Sequence, residues 1–350
     1  MGGGPEASGR QGMNEDPGDP IPHWPGQLVS LGDYQVFVRS VPDGDSGELA
    51  PVEPGPVKPA PVEPAPVEPA LCVHGLEGSS RNWTDLMDLL RPALACQALD
   101  LPGFGDSPPR PDGRYSIAAL AQTVIALIEK QKRGPVHLIG NSLGGAVCVK
   151  VAATRPGLIR TLTLISPALP DARPRMDLLR FPVISLPGIG TWLFSKLRLI
   201  PPERRVADVI ATCFSDPRLF APARFAVEVA ELTRRDSLDY AGAALAGSAK
   251  ALTTEVLRAG GRPAWRDAAR ITAPSLVIYG SHDRVVDPRN AGRAAHAFSN
   301  ARIVVLPRTG HVAQMERPGL VAAEIGIMLA AVRQDATAGR AREFPLASAG

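Results

Sequence analysis

From residue 70 onward, short apolar runs alternate with amphipathic ones, and this alternation restricts the fold more than any other feature of the chain. "ALCVHG", "ACQALD", "PVHLIG" and "TLTLIS" have the length and apolar content of buried strands. Between them lie "NWTDLMDLLRP", "YSIAALAQTVIALIEK" and the segment after Ser142, which read as helices. In the second of these, Ile117, Leu120, Val124, Leu127 and Ile128 share one helical face. Continuously apolar strands separated by one-sided helices predict an α/β fold, a mostly parallel central sheet with helices on both faces. Ahead of it, "QLVSL" and "YQVFVRS" flank Gly32-Asp33 as a hairpin.

The alternation breaks over residues 168–268, where helices are punctuated by Pro and Gly and no strand is expected. It resumes with "PSLVIYG", a helix near 288–298, "ARIVVLP" and a last helix from about residue 317. The interruption predicts a helical lid inserted over the sheet. Within it "FPVISLPGIGTWLF", residues 181–194, is unusually apolar for a surface insertion. It serves either as the greasy lining of a pocket over the sheet, or as the fastening of the lid to the body.

Both ends lie outside this pattern. Residues 1–26 are rich in Gly, Pro and acid and read as a disordered arm, in which Met13 is an alternative start; residues 333–350 read as a flexible tail. Residues 51–70, "PVEPGPVKPAPVEPAPVEPA", are four copies of a five-residue unit. Two prolines in five exclude helix and sheet and favour polyproline II. A tolerated insertion is the preferred reading, since long surface loops cost little closure entropy. A rod that docks a protein partner is the alternative.

Composition narrows the class. Lys and Arg nearly balance Asp and Glu for a net charge of +3, which gives no nucleic-acid footprint. No run approaches the roughly 20 apolar residues of a membrane span, so no stable membrane insertion is expected. The N-terminus lacks a secretion signal, and Glu6 stands where myristoylation wants Ser or Thr. Cys72, Cys96, Cys148 and Cys213 lack metal or redox spacing and read as reduced, packed residues of a cytoplasmic protein.

The strand "PVHLIG" runs directly into Gly140-Asn141-Ser142-Leu143-Gly144, a G-x-S-x-G pattern that opens a helix. Small residues let the backbone turn sharply, lift the serine above the sheet edge and aim a helix N-terminus at what it attacks. A serine hydroxyl needs a base. Of His23, His74, His137, His282, His296 and His311, only His311 follows the last strand on a loop that reaches the carboxyl edge. Asp283, just beyond "PSLVIYG", is the favoured acid to orient that histidine. Asp287, before Pro288, reads instead as a helix cap, and His282 as a bystander. His74-Gly75 ends another strand, so the N–H groups of Leu76 and Leu143 can form an oxyanion hole. Glu77 is expected to point to solvent.

The order Ser142, Asp283, His311, with an insertion between the first two, resembles the α/β-hydrolase superfamily over about residues 27–332. "HGLEGS", "DLPGFGDSPP", "GNSLGG", "GSHDRVVDP" and "RTGHVAQMERP" carry the resemblance. It implies an antiparallel relation between the second and third strands, and so a proline repeat that leaves the sheet on the side away from Ser142. The serine argues against epoxide hydrolases and haloalkane dehalogenases of this fold, which use aspartate at the elbow. Hydrolysis of a small apolar or aromatic ester, or a thioester, is the first reading, with no metal or organic cofactor expected. Cleavage of a carbon–carbon bond in vinylogous diketones is the second, because the elbow is similar to that of such hydrolases. Those enzymes carry Trp after the catalytic histidine, where Val312 stands here, and a lid arginine that Arg173, Arg175, Arg180 and Arg198 leave unassigned. A ligand-binding or interaction protein with low turnover on the same scaffold is the third.

Overall fold

A computed structural model describes residues 21–41, 67–170 and 189–338. The body is one eight-stranded sheet in the order β1-β2-β4-β3-β5-β6-β7-β8. β1 (Gly26–Ser30) and β2 (Gln35–Ser40) form the antiparallel hairpin about Gly32, and β2 pairs antiparallel with β4 (Leu94–Leu99). All other pairings are parallel, among β3 (Glu68–Val73), β4, β5 (Val136–Asn141), β6 (Ile159–Ile165), β7 (Ser275–Gly280) and β8 (Ala301–Leu306). Their carboxyl ends share a register: Val73 lies opposite Gly140, Asn141 opposite Ile165 and Gly280 opposite Leu306.

Strand residues sort by period two onto two cores. Leu71, Val73, Leu138 and Val277 face one core, together with α2 (Ile117–Gln131) and α3 (Leu143–Thr154). Cys72, Ile139, Leu276 and Ile278 face the other, with α1 (Thr84–Leu90) and the C-terminal helix. The expected face of α2 is buried at all five positions. Ser116 caps this helix by accepting the Ala119 N–H at 3.2 Å.

Between β6 and β7 come α4 (Ile189–Leu197), α5 (Pro202–Cys213), α6 (Pro222–Asp236), α7 (Ala241–Leu257) and α8 (Arg262–Ala269). Proline opens both α5 and α6, where the missing N–H is of no consequence. Val206, Ile210, Phe214 and Leu232 give α5 and α6 a small core of their own. α9 (Asn290–Ala297), α10 (Ala313–Glu316) and α11 (Pro318–Ala338) complete the fold.

Four boundaries differ from the sequence reading. Residues 21–25 are packed, not an arm: Trp24 is buried, and Arg224 of α6 donates to Ile21 O at 3.0 Å. α8 belongs to the body, since Trp265 and Ala268 are buried in the core of α3. The last helix runs to Ala338, and Arg333 pairs with Glu68 at 3.7 Å. The last repeat copy enters the sheet, because β3 begins at Glu68 and includes Pro69. The Glu68 N–H donates toward β4, to Ala93 O at 3.3 Å. Pro69 therefore turns its nitrogen toward β5, whose ladder with β3 begins only at Ala70 opposite His137. Residues 51–66 of the repeat, 171–188 of the insertion and the ends 1–20 and 339–350 lie outside the described residues.

Candidate active site

Ser142 stands between β5 and α3 at φ 52° and ψ −117°, a region that L side chains seldom adopt. The turn is held from both sides. The Ser142 N–H donates to Ile165 O at 3.1 Å, and its carbonyl accepts from Ala146 N–H at 3.1 Å and Ala168 N–H at 2.9 Å. Glycine at 144 is a packing requirement, since an added Cβ would overlap the carbonyl oxygens of Val73 and His74. The first turn of α3 thus rests directly on the end of β3.

That contact brings the His74-Gly75-Leu76 loop beside the serine; a Cβ on Gly75 would lie 3.1 Å from Ser142 Cβ. The buried His74 ring has both nitrogens engaged. Nδ1–H donates to Gly75 O at 2.7 Å, and Nε2 accepts the Leu101 N–H at 2.9 Å. This is a neutral imidazole, and burial lowers its pKa further. The Gly75 carbonyl also accepts Gly78 N–H at 3.1 Å. Because the Gly75 C=O and the Leu76 N–H belong to one rigid peptide plane and point oppositely, fixing the first aims the second. Among the described residues neither the Leu76 N–H nor the Leu143 N–H has an acceptor. Glu77 is exposed at φ 60°, and its carbonyl accepts from Arg235 of α6 at 2.5 Å.

His311 and Asp283 are buried together, at 4% and 2% exposure, with Nδ1 of the ring 2.9 Å from Asp283 Oδ2. Asp283 Oδ1 accepts the N–H groups of Val285 at 2.7 Å and Val286 at 2.9 Å. Burial alone would raise the Asp283 carboxyl, but His311 and the backbone donors outweigh it and hold the group below its usual range. Asp287 engages Arg289 instead, at 2.5 Å to the guanidinium and 2.9 Å to the N–H.

Ser142 meets this pair through Asn141, not through a direct hydrogen bond between the two side chains. Asn141 Nδ2 donates to Ile165 O at 3.0 Å and to His311 O at 3.1 Å, pinning the histidine loop to the elbow. Of the other histidines, His137 contacts Thr161 and Glu68, His23 contacts Thr84 and Arg224, and His282 and His296 are exposed. Cys72, Cys96 and Cys148 are buried, Cys213 is half-buried, and no disulfide joins any of the four.

Sequence reasoning missed Glu316. This buried carboxylate accepts Gly310 N–H at 2.5 Å and Ser215 N–H at 2.9 Å, and also takes the Ser215 hydroxyl. Its only sequence signal is a carboxylate five residues after His311. A second omission is the clamp on α6, where Arg81 pairs with Glu231 at 2.6 Å and Arg234 with Asp106 at 3.1 Å.

A family model described as the α/β hydrolase fold matches residues 69–318. The chain belongs to the α/β-hydrolase fold family. Among its relatives is mouse monoacylglycerol lipase ABHD6, 26% identical over 268 residues that cover 75% of each chain. Another is the dihydrolipoyllysine-residue acetyltransferase component of the acetoin cleaving system of Cupriavidus necator, 27% identical over 253 residues. That match covers 71% of this chain, which spans only 59% of the relative's length. In fold, this α/β hydrolase is similar to a putative lipase of Acinetobacter baumannii, with a TM-score of 0.67 and 20% identity over 89% of this chain and 92% of that one. No helix among the described residues is long and apolar enough to cross a membrane.

Proposed function

We propose that this α/β hydrolase is a serine esterase that cleaves small apolar or aromatic esters or thioesters through an acyl-enzyme on Ser142. One observation carries the reading: the strained Ser142 at the head of α3 is tied by Asn141 to a loop whose histidine is paired, in a buried setting, with Asp283. The lipase name of a relative covered over three quarters of its length agrees with an ester substrate.

In the proposed reaction, His311 Nε2 takes the Ser142 proton as Oγ bonds to the acyl carbon. Asp283 holds the ring by its Nδ1–H and stabilises the imidazolium that forms. The carbonyl oxygen becomes an oxyanion facing the N–H groups of Leu76 and Leu143, with the α3 dipole behind it. The oxyanion collapses, the alkoxide or thiolate leaves with the proton from His311, and water activated by the same ring releases the acid. Helices α4 to α7 serve as the lid in this scheme, with α6 its fixed wall. The enzyme works in the cytoplasm on a small molecule, and the repeat of residues 51–70 takes no part in turnover.

The test is the intact mass of the protein after treatment with a fluorophosphonate. A single adduct on wild type and none on Ser142→Ala is expected. No adduct on the folded wild type would sink the reading and bring a binding role forward. Esters graded by chain length, run beside vinylogous diketones, then separate ester from carbon–carbon cleavage.

A further inference from the structure

A cavity of about 280 Å³ lies between α2, α3 and the end of the helical insertion. Ser142, Asp283, His311 and the His74–Leu76 loop take no part in its lining. Its floor is apolar, built from Ile117, Val149, Leu169 and Pro263 among others. Its rim is cationic: Lys150, Arg258, Arg266 and Arg270 stand against Glu255 and Asp267. Lys150 is neutralised by Asp267 at 2.9 Å, with Arg270 at 3.9 Å from the same carboxylate. Arg258 and Arg266 have no ion-pair partner among the described residues. Four cations and two anions leave the rim with an excess of two positive charges.

We infer that this cavity binds a small monocarboxylate, with its apolar body on the floor and its carboxylate at Arg258 and Arg266. Each part of the ligand follows from a part of the site. At ~30 Å³ per water, the volume matches roughly nine waters, so it holds a body of about seven carbons plus the carboxyl group. The planar fork of arginine suits a carboxylate, and the apolar floor leaves no place for a second charge. Where the ester reading of Ser142 holds, such an acid is also the class of product released, and the cavity is a product-sensing site.

The cavity wall gives the sensing a route. Ala146 and Ala168 both line it, and their N–H groups are the two that hold the Ser142 carbonyl. A ligand on this wall bears on the backbone that sets the serine, without occupying the place of the substrate. Bound octanoate therefore lowers kcat and leaves KM unchanged.

The test is calorimetric titration of octanoate, with octanol as the uncharged control, into the full chain and two variants. Arg258→Gln/Arg266→Gln removes the carboxylate partners. Ala118→Leu fills the cavity from an exposed position on α2, where a larger side chain leaves the core undisturbed. Wild type should bind octanoate and not octanol. The double variant should bind at least about tenfold more weakly, the loss of charge-assisted hydrogen bonds. Ala118→Leu should lose this binding, and both variants should keep the octanoate-free turnover of wild type. Unchanged octanoate binding in both variants, or no binding to wild type, would overturn the inference. Failure of the serine reading registers separately, as a missing fluorophosphonate adduct, and leaves the titrations valid.

Discussion

The backbone N–H of His311 donates to the carbonyl of Cys213 across 2.6 Å, joining the histidine loop to the last residue of α5. Glu316 completes the joint by taking one donor from each side, Gly310 N–H and Ser215 N–H. The insertion and the candidate base are thus fastened to each other before any substrate arrives. Removing the carboxylate, as in Glu316→Ala, strands these buried donors at about 1–3 kcal/mol each. A lower urea midpoint and a lower kcat are expected together, read by denaturation and ester turnover on the same preparation.

The two aspartates after β7 should behave oppositely. Asp283→Asn removes the acceptor that holds His311 Nδ1–H, and kcat should fall by about 10⁴, the loss measured for the same change in a serine protease. Asp287→Asn weakens the contact of a buried carboxylate with the exposed Arg289 ahead of α9 and, because Asp283 is the carboxylate that holds His311 Nδ1, should leave kcat within about threefold. Steady-state kinetics on both variants decides, and a larger loss at Asp287 would reassign the acid.

His74 is expected to matter without touching substrate. His74→Ala removes one of the two donors to the Gly75 carbonyl, leaving only Gly78 N–H, and loosens the Leu76 peptide. Turnover should drop by roughly 10², the lower range for losing one oxyanion donor, with KM little changed. Fluorophosphonate labelling should slow in step, because that reaction forms the same oxyanion. A rise in KM alone would place His74 in substrate binding instead.

Acid sensitivity should arise at His23. Its pKa is pushed down to about 3 by burial first and by Arg224, Arg39 and Arg81 after it. Between pH 6.5 and about 3 the unfolded chain binds this proton and the folded chain does not. Stability is therefore full above pH 6.5 and declines as pH falls through that window. Urea midpoints across it should fall for wild type and fall less steeply for His23→Gln. Equal slopes would show that the ring titrates freely in the folded protein.

What the sequence discloses here is mostly local. Strand, turn and helix at 136–154 are written in consecutive residues, so Ser142 and the sheet around it can be read directly. His311 and Asp283 each sit just beyond a strand, and the parallel topology carries their loops to one edge. Glu316 is different: its partner Ser215 lies 101 residues away, and nothing near either residue announces the contact. Trp24 escaped because the stretch before it is rich in Gly, Pro and acid and carries no periodic apolar pattern. Pro69 escaped because a proline in a repeat reads as a strand breaker, whereas its position at the start of one ladder makes the missing N–H harmless.

The entry of the last repeat copy into β3 also bears on how this gene can change. Glu68 is gripped by Arg160 at 2.6 Å and His137 at 3.3 Å, so that copy is part of the sheet. The copy before it, residues 61–65, has the same five letters as residues 66–70. Loss or duplication of one unit by replication slippage would present β3 with the same Glu-Pro-Ala and the same anchor. Gain or loss of one such unit therefore leaves the junction intact, whereas a change that is not a multiple of five, or one that brings the Lys58 copy to the start of β3, would disturb the anchor at Arg160.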